Sequence, residues 1–202
     1  MTNSEMLNRL EYPEHPVDVV LDTDTYNEVD DQFALAYLLR SEEKLRTQAI
    51  YAAPFSHKGI PQDVGMEKSY AEILHILKLA GREDMIPNVY RGSKDYLANE
   101  ETPVDSPAAR DLVERSRAYS AENPLYVVAI GAITNVASAI LTDPTIRERI
   151  VVVWLGGPAL HWCDTKEYNM EQDFAAARVV FGCGVPLVQL PCNGVVSEFT
   201  VS

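Results

Sequence analysis

Short runs of apolar, mostly β-branched residues alternate along this chain with segments of helical periodicity. The runs are almost continuously apolar, which is typical of strands buried on both faces of a sheet. The predicted strands cover residues 17–21, 48–53, 125–130, 150–155 and 186–190. The predicted helices cover residues 31–40, 64–79, 111–119, 135–141 and 174–181. Strands and helices that alternate at this spacing predict an α/β fold, namely a doubly wound, mainly parallel sheet with helices on both faces.

The same pattern predicts the domain organisation. Residues 1–16 are polar and contain Pro13 and Pro16, so we interpret them as an N-terminal arm. Residues 17–202 are expected to form one domain, because they contain no internal repeat and no long linker, and their number suits a single α/β unit. Ligands bind to open parallel sheets at the carboxyl ends of the strands. A functional site is therefore expected in the loops that follow the predicted strands.

Charge and composition exclude several classes of function. The chain has 17 Lys and Arg against 30 Asp and Glu, a formal net charge of −13. This charge repels phosphate backbones, so nucleic acid is not an expected partner. No apolar run approaches the ~20 residues of a membrane span, and the N-terminal segment lacks the apolar core of a signal peptide, so no membrane partner is expected. The three cysteines are too few for a disulfide scaffold, which favours a cytoplasmic location.

Five acidic residues lie within ten positions after the first predicted strand. They are Asp22, Asp24, Glu28, Asp30 and Asp31. Two carboxylates held ~4 Å apart repel each other by roughly 4 kcal/mol at an effective dielectric constant of about 20, so a bound cation is the simplest explanation of the cluster. Ligands that are all oxygen favour Ca²⁺ or Mg²⁺ over zinc. A helix cap would explain one acid at the start of the next helix, but not the whole cluster.

Two known acidic patterns fit this loop poorly. An EF-hand loop needs Gly at its sixth position and Glu at its twelfth, but counting from Asp22 gives Asn27 and Phe33. The pair Asp22-x-Asp24 also resembles the Asp-x-Asp of haloacid-dehalogenase-type phosphatases. That family has Thr or Val where this chain has Tyr26, and its Gly-Asp-x-x-x-Asp motif does not follow here. A Mg²⁺-dependent phosphatase with Asp22 as nucleophile is therefore only a weak alternative.

A third pattern fits better. A strand followed by Asp22-x-Asp24, a short turn and Asp30-Asp31 at the start of a helix resembles the signature of nucleoside hydrolases. Four later segments resemble further motifs of that family, in the family's order: Ile86-Pro-Asn-Val-Tyr-Arg-Gly92, Ile130-Gly-Ala-Ile-Thr134-Asn135, Val152-Val-Trp-Leu-Gly156-Gly157 and Glu167-Tyr168-Asn169 with Asp173-Phe-Ala-Ala-Ala. Together these motifs make the chain similar to the inosine/uridine-preferring nucleoside hydrolase family over nearly its whole length.

The resemblance implies hydrolysis of the N-glycosidic bond of ribonucleosides, with a small-molecule ribonucleoside as partner and a tightly held Ca²⁺ as cofactor. In the family pattern Asp24 and Asp31 are calcium ligands together with the backbone carbonyl of Thr134, and Asp22 supports the metal shell. A calcium-bound water is the implied nucleophile, and Asp24 is the implied general base. This chemistry is physically consistent, because a metal ion lowers the pKa of bound water and a neighbouring carboxylate can accept the proton.

The resemblance also implies a set of substrate-binding residues. Asp30 and Asn169 would hold the 2′- and 3′-hydroxyls of the ribose, and Glu167 its 5′-hydroxyl end. His161 lies near a position where the family has a sugar-contacting Asn. Carboxylates around the sugar suit the reaction, because the departing base leaves positive charge at the anomeric carbon, as in glycoside hydrolysis.

The residues alone leave structural alternatives open for several of these positions. Glu167 and Asn169 could equally satisfy backbone groups of their own loop, and Thr134 could be a helix cap. Asp173 precedes a predicted helix, so we interpret it as a cap rather than a ligand.

Two departures from the family pattern lead to an alternative function. Ser56 stands where the family's turn after the second strand has a ligand-binding Asn. The family also supplies a further calcium-binding Asp and an adjacent His from a later C-terminal segment, whereas this chain has no Asp after Asp173. The alternative is therefore a catalytically impaired family member that binds nucleoside or ribose. Members of the family are commonly oligomeric, which implies a homo-oligomer.

Overall fold

The computed structural model describes residues 2–199, in which six parallel strands form a single sheet. The strands are β1 (Val17–Thr23), β2 (Leu45–Ala52), β3 (Val89–Arg91), β4 (Leu125–Ala129), β5 (Ile150–Leu155) and β6 (Leu187–Leu190). Their order in the sheet is β3-β2-β1-β4-β5-β6, and every neighbouring pair is parallel.

Seven α-helices are described in the same range. They are α1 (Asn3–Arg9), α2 (Val29–Arg40), α3 (Gln62–Leu79), α4 (Pro107–Ser116), α5 (Thr134–Thr142), α6 (Tyr168–Gln172) and α7 (Phe174–Gly182). Three short 3₁₀ helices cover Glu83–Asn88, Pro144–Glu148 and Val196–Glu198. None of the helices in residues 2–199 has the length and hydropathy of a membrane span.

Helices cover the two faces of the sheet in separate groups. Successive side chains of a strand point to opposite faces, and in β1 Val20 packs on one face while Val19 and Leu21 pack on the other. The Val20 face is covered by α4, α5 and α7, and the opposite face by α2 and α3. Both sides of β1 are therefore buried, as its continuous apolar run predicts. The predicted doubly wound α/β fold is confirmed.

Some short elements carry too little periodicity to be predicted. Strand β3 has three residues and α6 has five, so neither spans enough positions for an alternating or helical pattern. Helix α4 begins at Pro107, four positions before the predicted start. The reason is local, because the Ser106 hydroxyl accepts a hydrogen bond from the Ala109 N–H at 3.1 Å, and a proline is favoured in the first turn.

The predicted N-terminal arm contains a helix that is attached to the rest of the fold. Helix α1 begins with a capping box between Thr2 and Glu5. At its end, the Arg9 guanidinium donates to the Ile150 carbonyl at 2.9 Å and to the Arg147 carbonyl at 3.3 Å. Residue 1 of the predicted arm and residues 200–202 of the predicted domain lie outside the described residues.

The strand order positions the candidate site. The chain runs outward from β1 to β2 and β3, and then returns to place β4 on the other side of β1. The loops after β1 and β4 therefore diverge to opposite faces and leave a crevice between them. Ligands of open α/β sheets bind at such a switch point. Asp24 follows β1 directly, and Gly131 lies in the loop after β4.

Candidate active site

The loop after β1 carries two buried carboxylates toward this crevice. Asp24 is 1% exposed and Asp31, in the first turn of α2, is 5% exposed. Gly131 lies against Asp24, because a Cβ atom at this glycine would stand 2.6 Å from the Asp24 Oδ1 atom. The absence of a side chain at residue 131 therefore makes room for the Asp24 carboxylate at the strand end.

Specific hydrogen bonds orient these two carboxylates. The Thr23 hydroxyl donates to Asp31 Oδ1 at 2.7 Å, and the Asn27 amide donates to Asp24 Oδ2 at 3.1 Å. Burial, and then the negative charge of Asp31, raise the pKa of Asp24 well above its ordinary value. Burial likewise raises the pKa of Asp31 to about 7. Neither Asp30 nor Asp31 is the residue that caps α2, so the capping interpretation does not explain the acidic cluster.

A third carboxyl group, Asp22, lies fully buried within β1. Its Oδ1 atom accepts a hydrogen bond from the Asn135 amide at 2.8 Å. Its Oδ2 atom has no hydrogen-bond partner among residues 2–199. Burial raises the pKa of this carboxyl group to about 7. Three acidic groups are thus buried close to one edge of the sheet. Their hydrogen-bond donors among the side chains of residues 2–199 are the neutral Thr23, Asn27 and Asn135, so no basic side chain described there neutralises their charge.

These groups fit a hard cation in charge and in donor chemistry. Asp24 and Asp31 are close enough for the charge of Asp31 to disfavour ionisation of Asp24, and carboxylate oxygens are preferred by Ca²⁺ and Mg²⁺. Within residues 2–199, however, no group of three or more His, Cys, Asp and Glu side chains could hold a metal ion. A cation here would need backbone carbonyl or water oxygens to complete its coordination, and the predicted Thr134 carbonyl is a donor of that kind.

We expect the free energy of unfolding of the metal-free chain to fall as the pH rises from about 4 toward 7. The pKa values of Asp22 and Asp31 are about 7 in the folded chain and ordinarily 3.8. The folded state therefore binds more protons than the unfolded state in this window, and the slope is at most about 1.4 kcal/mol per pH unit for each carboxyl group. Urea denaturation in EDTA at several pH values measures it.

The control for this prediction is Asp22→Asn, which removes one of the buried titrating groups and should flatten the pH dependence. Added Ca²⁺ should stabilise the chain more strongly at higher pH, because a cation binds the ionised carboxylates. A free energy of unfolding that rises with pH across this window in EDTA would contradict the burial of these groups.

Helix α6 brings Glu167 and Asn169 to the same edge of the sheet. The Glu167 carboxylate caps this helix, since it accepts hydrogen bonds from the N–H groups of Asn169 at 3.0 Å and Met170 at 2.9 Å. It also accepts one from the Gly157 N–H at 2.7 Å. The Asn169 amide donates to the Ile130 carbonyl at 3.1 Å and to the Leu155 carbonyl at 2.9 Å. Both residues thus satisfy backbone groups, which is the alternative that the sequence left open for them. Both also line a cavity.

That cavity has a volume of about 320 Å³ and lies between the start of α2 and α6. Its wall brings together four of the predicted site residues: Asp30, Asp31, Glu167 and Asn169. Asp24 and Thr134 are buried and do not line it. His161 is exposed and does not line it either. Most of the predicted substrate-binding set therefore meets at one cavity, while His161 stands apart from it.

Thr134 and Asp173 are joined on the sheet face that α5 and α7 cover. The Thr134 hydroxyl donates to Asp173 Oδ2 at 2.8 Å, and does not cap α5. The other oxygen of Asp173 accepts the Ala176 N–H at 2.9 Å at the start of α7. The interpretation of Asp173 as a helix cap is confirmed.

The sequence interpretation missed two residues that hold the site together. Asn135 contacts Asp22, and its Oδ1 atom also accepts the Ser93 N–H at 2.8 Å. It lies beside Thr134 in a recognised motif, which was an available signal. Gln172 contacts the backbone of Ser56, which is 116 positions away. No local pattern could have indicated that contact.

Both the sequence and the fold of this chain are similar to those of known proteins. The sequence model of the family described as inosine-uridine preferring nucleoside hydrolase matches residues 19–201. A pyrimidine-specific ribonucleoside hydrolase, RihA, of Escherichia coli O9:H4 (strain HS) is 29% identical over 84% of this chain and 58% of its own length. The chain thus spans 58% of the length of such curated relatives.

Solved structures share the fold. The plant nucleoside hydrolase PpNRh1 superposes with a TM-score of 0.65 and 25% identity, over 87% of this chain and 60% of that chain. A purine-preferring ribonucleoside hydrolase from Gardnerella vaginalis superposes with a TM-score of 0.65 and 24% identity, over 85% of this chain and 60% of that one. Because the identity to the Gardnerella vaginalis enzyme is only 24%, this similarity is evidence for the fold alone.

Proposed function

Since this chain belongs to the inosine-uridine preferring nucleoside hydrolase family, we propose that it hydrolyses the N-glycosidic bond of ribonucleosides to ribose and free base. The observation that carries the proposal is the buried pair Asp24 and Asp31 at the carboxyl end of β1. Asp31 also lines the cavity that contains Asp30, Glu167 and Asn169. A sugar in this cavity would therefore lie beside carboxyl groups, which suits a reaction that develops positive charge on the sugar.

We further propose Ca²⁺ as the cofactor of this site. Asp24 and Asp31 would hold it through their carboxylates, with the backbone carbonyl of Thr134 as another ligand and Asp22 behind them. The unpartnered Oδ2 atom of Asp22 and the uncompensated charges of the pair support a cation here. When bound, such a cation supplies Lewis-acid activation of the attacking water.

The chain's own residues would divide the remaining work. Asp24 is the proposed general base, and the Asn27 amide holds its Oδ2 atom at 3.1 Å, which limits the directions in which its carboxylate can accept a proton. Asp30, exposed on the first turn of α2, and Asn169 are proposed to bind the ribose 2′- and 3′-hydroxyls. Glu167 is proposed to contact the 5′-hydroxyl end, although its oxygens already accept three backbone N–H groups.

A second candidate function is binding of nucleoside or ribose without turnover. It is favoured by the small number of side-chain ligands, since residues 2–199 contain no group of three acidic, His or Cys side chains able to hold a metal ion. A weakly held cation would activate water poorly while Asp30 and Asn169 could still bind the sugar. The two candidates differ in product formation and not in binding.

The experiment that tests the proposed function is base release from a mixture of purine and pyrimidine ribonucleosides, followed by chromatography with Ca²⁺ and with EDTA. We expect release of free base in Ca²⁺ and its loss in EDTA. Ribose or nucleoside binding by calorimetry without any release would establish the binding function instead. Release that continues unchanged in EDTA would contradict the proposed cofactor.

Two broader expectations complete the proposal. A cytoplasmic location is supported by the three free cysteines Cys163, Cys183 and Cys192. A homo-oligomer, which the family resemblance implies, is consistent with exposed aromatic residues such as Phe33 and Tyr37 on α2, which are 72% and 73% exposed. Light scattering after size-exclusion chromatography measures the oligomeric state.

A further inference from the structure

Helix α6 presents two side chains to the loop that follows β2. Tyr168 and Gln172 are the first and last residues of this helix and stand four positions apart, so they lie on one face. Both contact Ser56. The helix that carries Asn169 into the cavity is therefore also attached to the loop after β2.

The Gln172 side chain forms hydrogen bonds to both the backbone N–H and the backbone carbonyl of Ser56. Its Oε1 atom accepts the Ser56 N–H at 2.7 Å, and its Nε2 atom donates to the Ser56 carbonyl at 3.1 Å. The Tyr96 hydroxyl also donates to Gln172 Oε1 and lies 3.1 Å from the Ser56 hydroxyl. A side-chain amide that makes two hydrogen bonds to one residue fixes both the position and the orientation of that part of the loop.

Tyr168 extends this connection to the loop after β1. Its hydroxyl lies 3.2 Å from the Ser56 carbonyl and 3.4 Å from Asn27 Oδ1. The amide of Asn27 in turn donates to Asp24 Oδ2 at 3.1 Å. The contacts therefore run without a break from α6, through Tyr168 and Asn27, to the proposed general base.

The residues of this connection coincide with departures from the family pattern. Ser56 stands where the resemblance predicts Asn, and Tyr168 stands where the family motif Glu-Phe-Asn has Phe. The Tyr168 hydroxyl, which a Phe would lack, contacts the backbone of Ser56. Two positions that differ from the family pattern are thus in direct contact with each other.

We propose that Gln172 and Tyr168 are positioning residues, which hold the loop after β2 and, through Asn27, the Asp24 carboxylate in the geometry the site requires. This inference rests on the proposed function, since it concerns the same site. Neither side chain needs to touch the reacting atoms. Without the Gln172 amide, the Ser56 N–H loses its hydrogen bond and the Ser56 carbonyl loses one of its two, that from Nε2, so the loop that receives the Tyr168 hydroxyl becomes freer to move.

We expect replacement of Gln172 to slow the chemical step in which Asp24 acts as the proposed general base. Loss of a residue that orients a metal-site ligand typically lowers affinity or activity by about 10- to 100-fold, so we expect kcat to fall by about this factor in Gln172→Met. Asn169 is held separately, by the Ile130 and Leu155 carbonyls. KM should therefore change by less than about threefold. Because a smaller folded fraction would also lower kcat at constant KM, kcat is calculated per folded enzyme, with the folded fraction of each variant measured by circular dichroism.

The test uses the full chain with Gln172→Met, which keeps the length of the side chain, and Tyr168→Phe, which keeps the ring. The matched controls are Gln62→Met, because Gln62 bonds the exposed Asp95, and Tyr119→Phe, because Tyr119 bonds Asp18 at the opposite end of β1. For each variant we measure kcat and KM for base release, Ca²⁺ affinity by calorimetry, and hydrogen exchange at the Ser56 amide.

The possible outcomes distinguish failure of the positioning role from failure of the proposed function. Faster exchange at Ser56 in Gln172→Met together with a loss confined to kcat supports the inference. Wild-type kcat, KM and Ca²⁺ affinity in both variants overturn it, while base release by the wild type leaves the proposed function standing.

If the wild type binds Ca²⁺ without releasing base, the proposed function fails. In that case, weaker Ca²⁺ binding by Gln172→Met supports the positioning role and unchanged binding overturns it. A wild type that neither binds Ca²⁺ nor releases base overturns both the proposed function and the positioning role.

Discussion

Replacing Asp24 by Asn is expected to lower the rate of base release by about 1,000-fold or more. Asn keeps the size of the side chain but cannot accept a proton at neutral pH, and removal of a general base typically costs about 10²- to 10⁴-fold. The same change also removes one of the two buried carboxylates proposed to hold Ca²⁺. Comparison of kcat/KM for wild type and Asp24→Asn at saturating Ca²⁺ measures the effect.

A stability measurement distinguishes this loss from unfolding. Asp24 is a buried acid whose ionisation is disfavoured by burial and by Asp31, so in EDTA Asp24→Asn should be at least as stable as the wild type. Asp84→Asn is the control, because this exposed carboxylate pairs only with Arg82 on the surface in the contacts described for it. Asp24→Asn with more than a tenth of the wild-type activity would show that Asp24 is not the base.

Replacing Asn135 by Ala is expected to destabilise the fold by about 3–5 kcal/mol, because each buried polar group left without its partner costs about 1–3 kcal/mol and three groups lose one. Asn135 is fully buried. It donates to Asp22 Oδ1 at 2.8 Å and to the Ala52 carbonyl at 3.3 Å, and it accepts the Ser93 N–H at 2.8 Å. Alanine leaves these groups without their partner. Urea denaturation with Ca²⁺ present measures the loss.

The matched control is Asn99→Ala, since Asn99 makes its hydrogen bonds to Glu101 and Thr102 in an exposed loop. We expect its effect to be below about 1 kcal/mol. The double variant Asp22→Ala/Asn135→Ala should lose less free energy of unfolding than the sum of the two single variants, because the two side chains share one interaction. Additive losses would show that Asn135 does not stabilise Asp22.

The acidic loop shows how a local pattern can predict a site. Asp22, Asp24 and Asp31 lie within ten positions of each other, and the end of a buried strand necessarily brings them to one edge of the sheet. The family motifs added Asn169 and Glu167, which the structure places in one cavity with Asp31. The sequence allowed Glu167 either to satisfy backbone groups or to contact substrate. The structure shows the first, since the carboxylate accepts the N–H groups of Asn169 and Met170 in α6 and that of Gly157, and the second stays a proposal.

The sequence by itself determined the doubly wound fold, because continuous apolar runs and helical periodicity arise from interactions between near neighbours and from burial on known faces. Only the tertiary structure decided how the site is supported. Asn135 contacts Asp22 across 113 positions, and Gln172 contacts Ser56 across 116. Such contacts depend on where whole elements pack, and a hydrogen bond requires atoms placed to within a few tenths of an ångström. No periodicity along the chain carries that information.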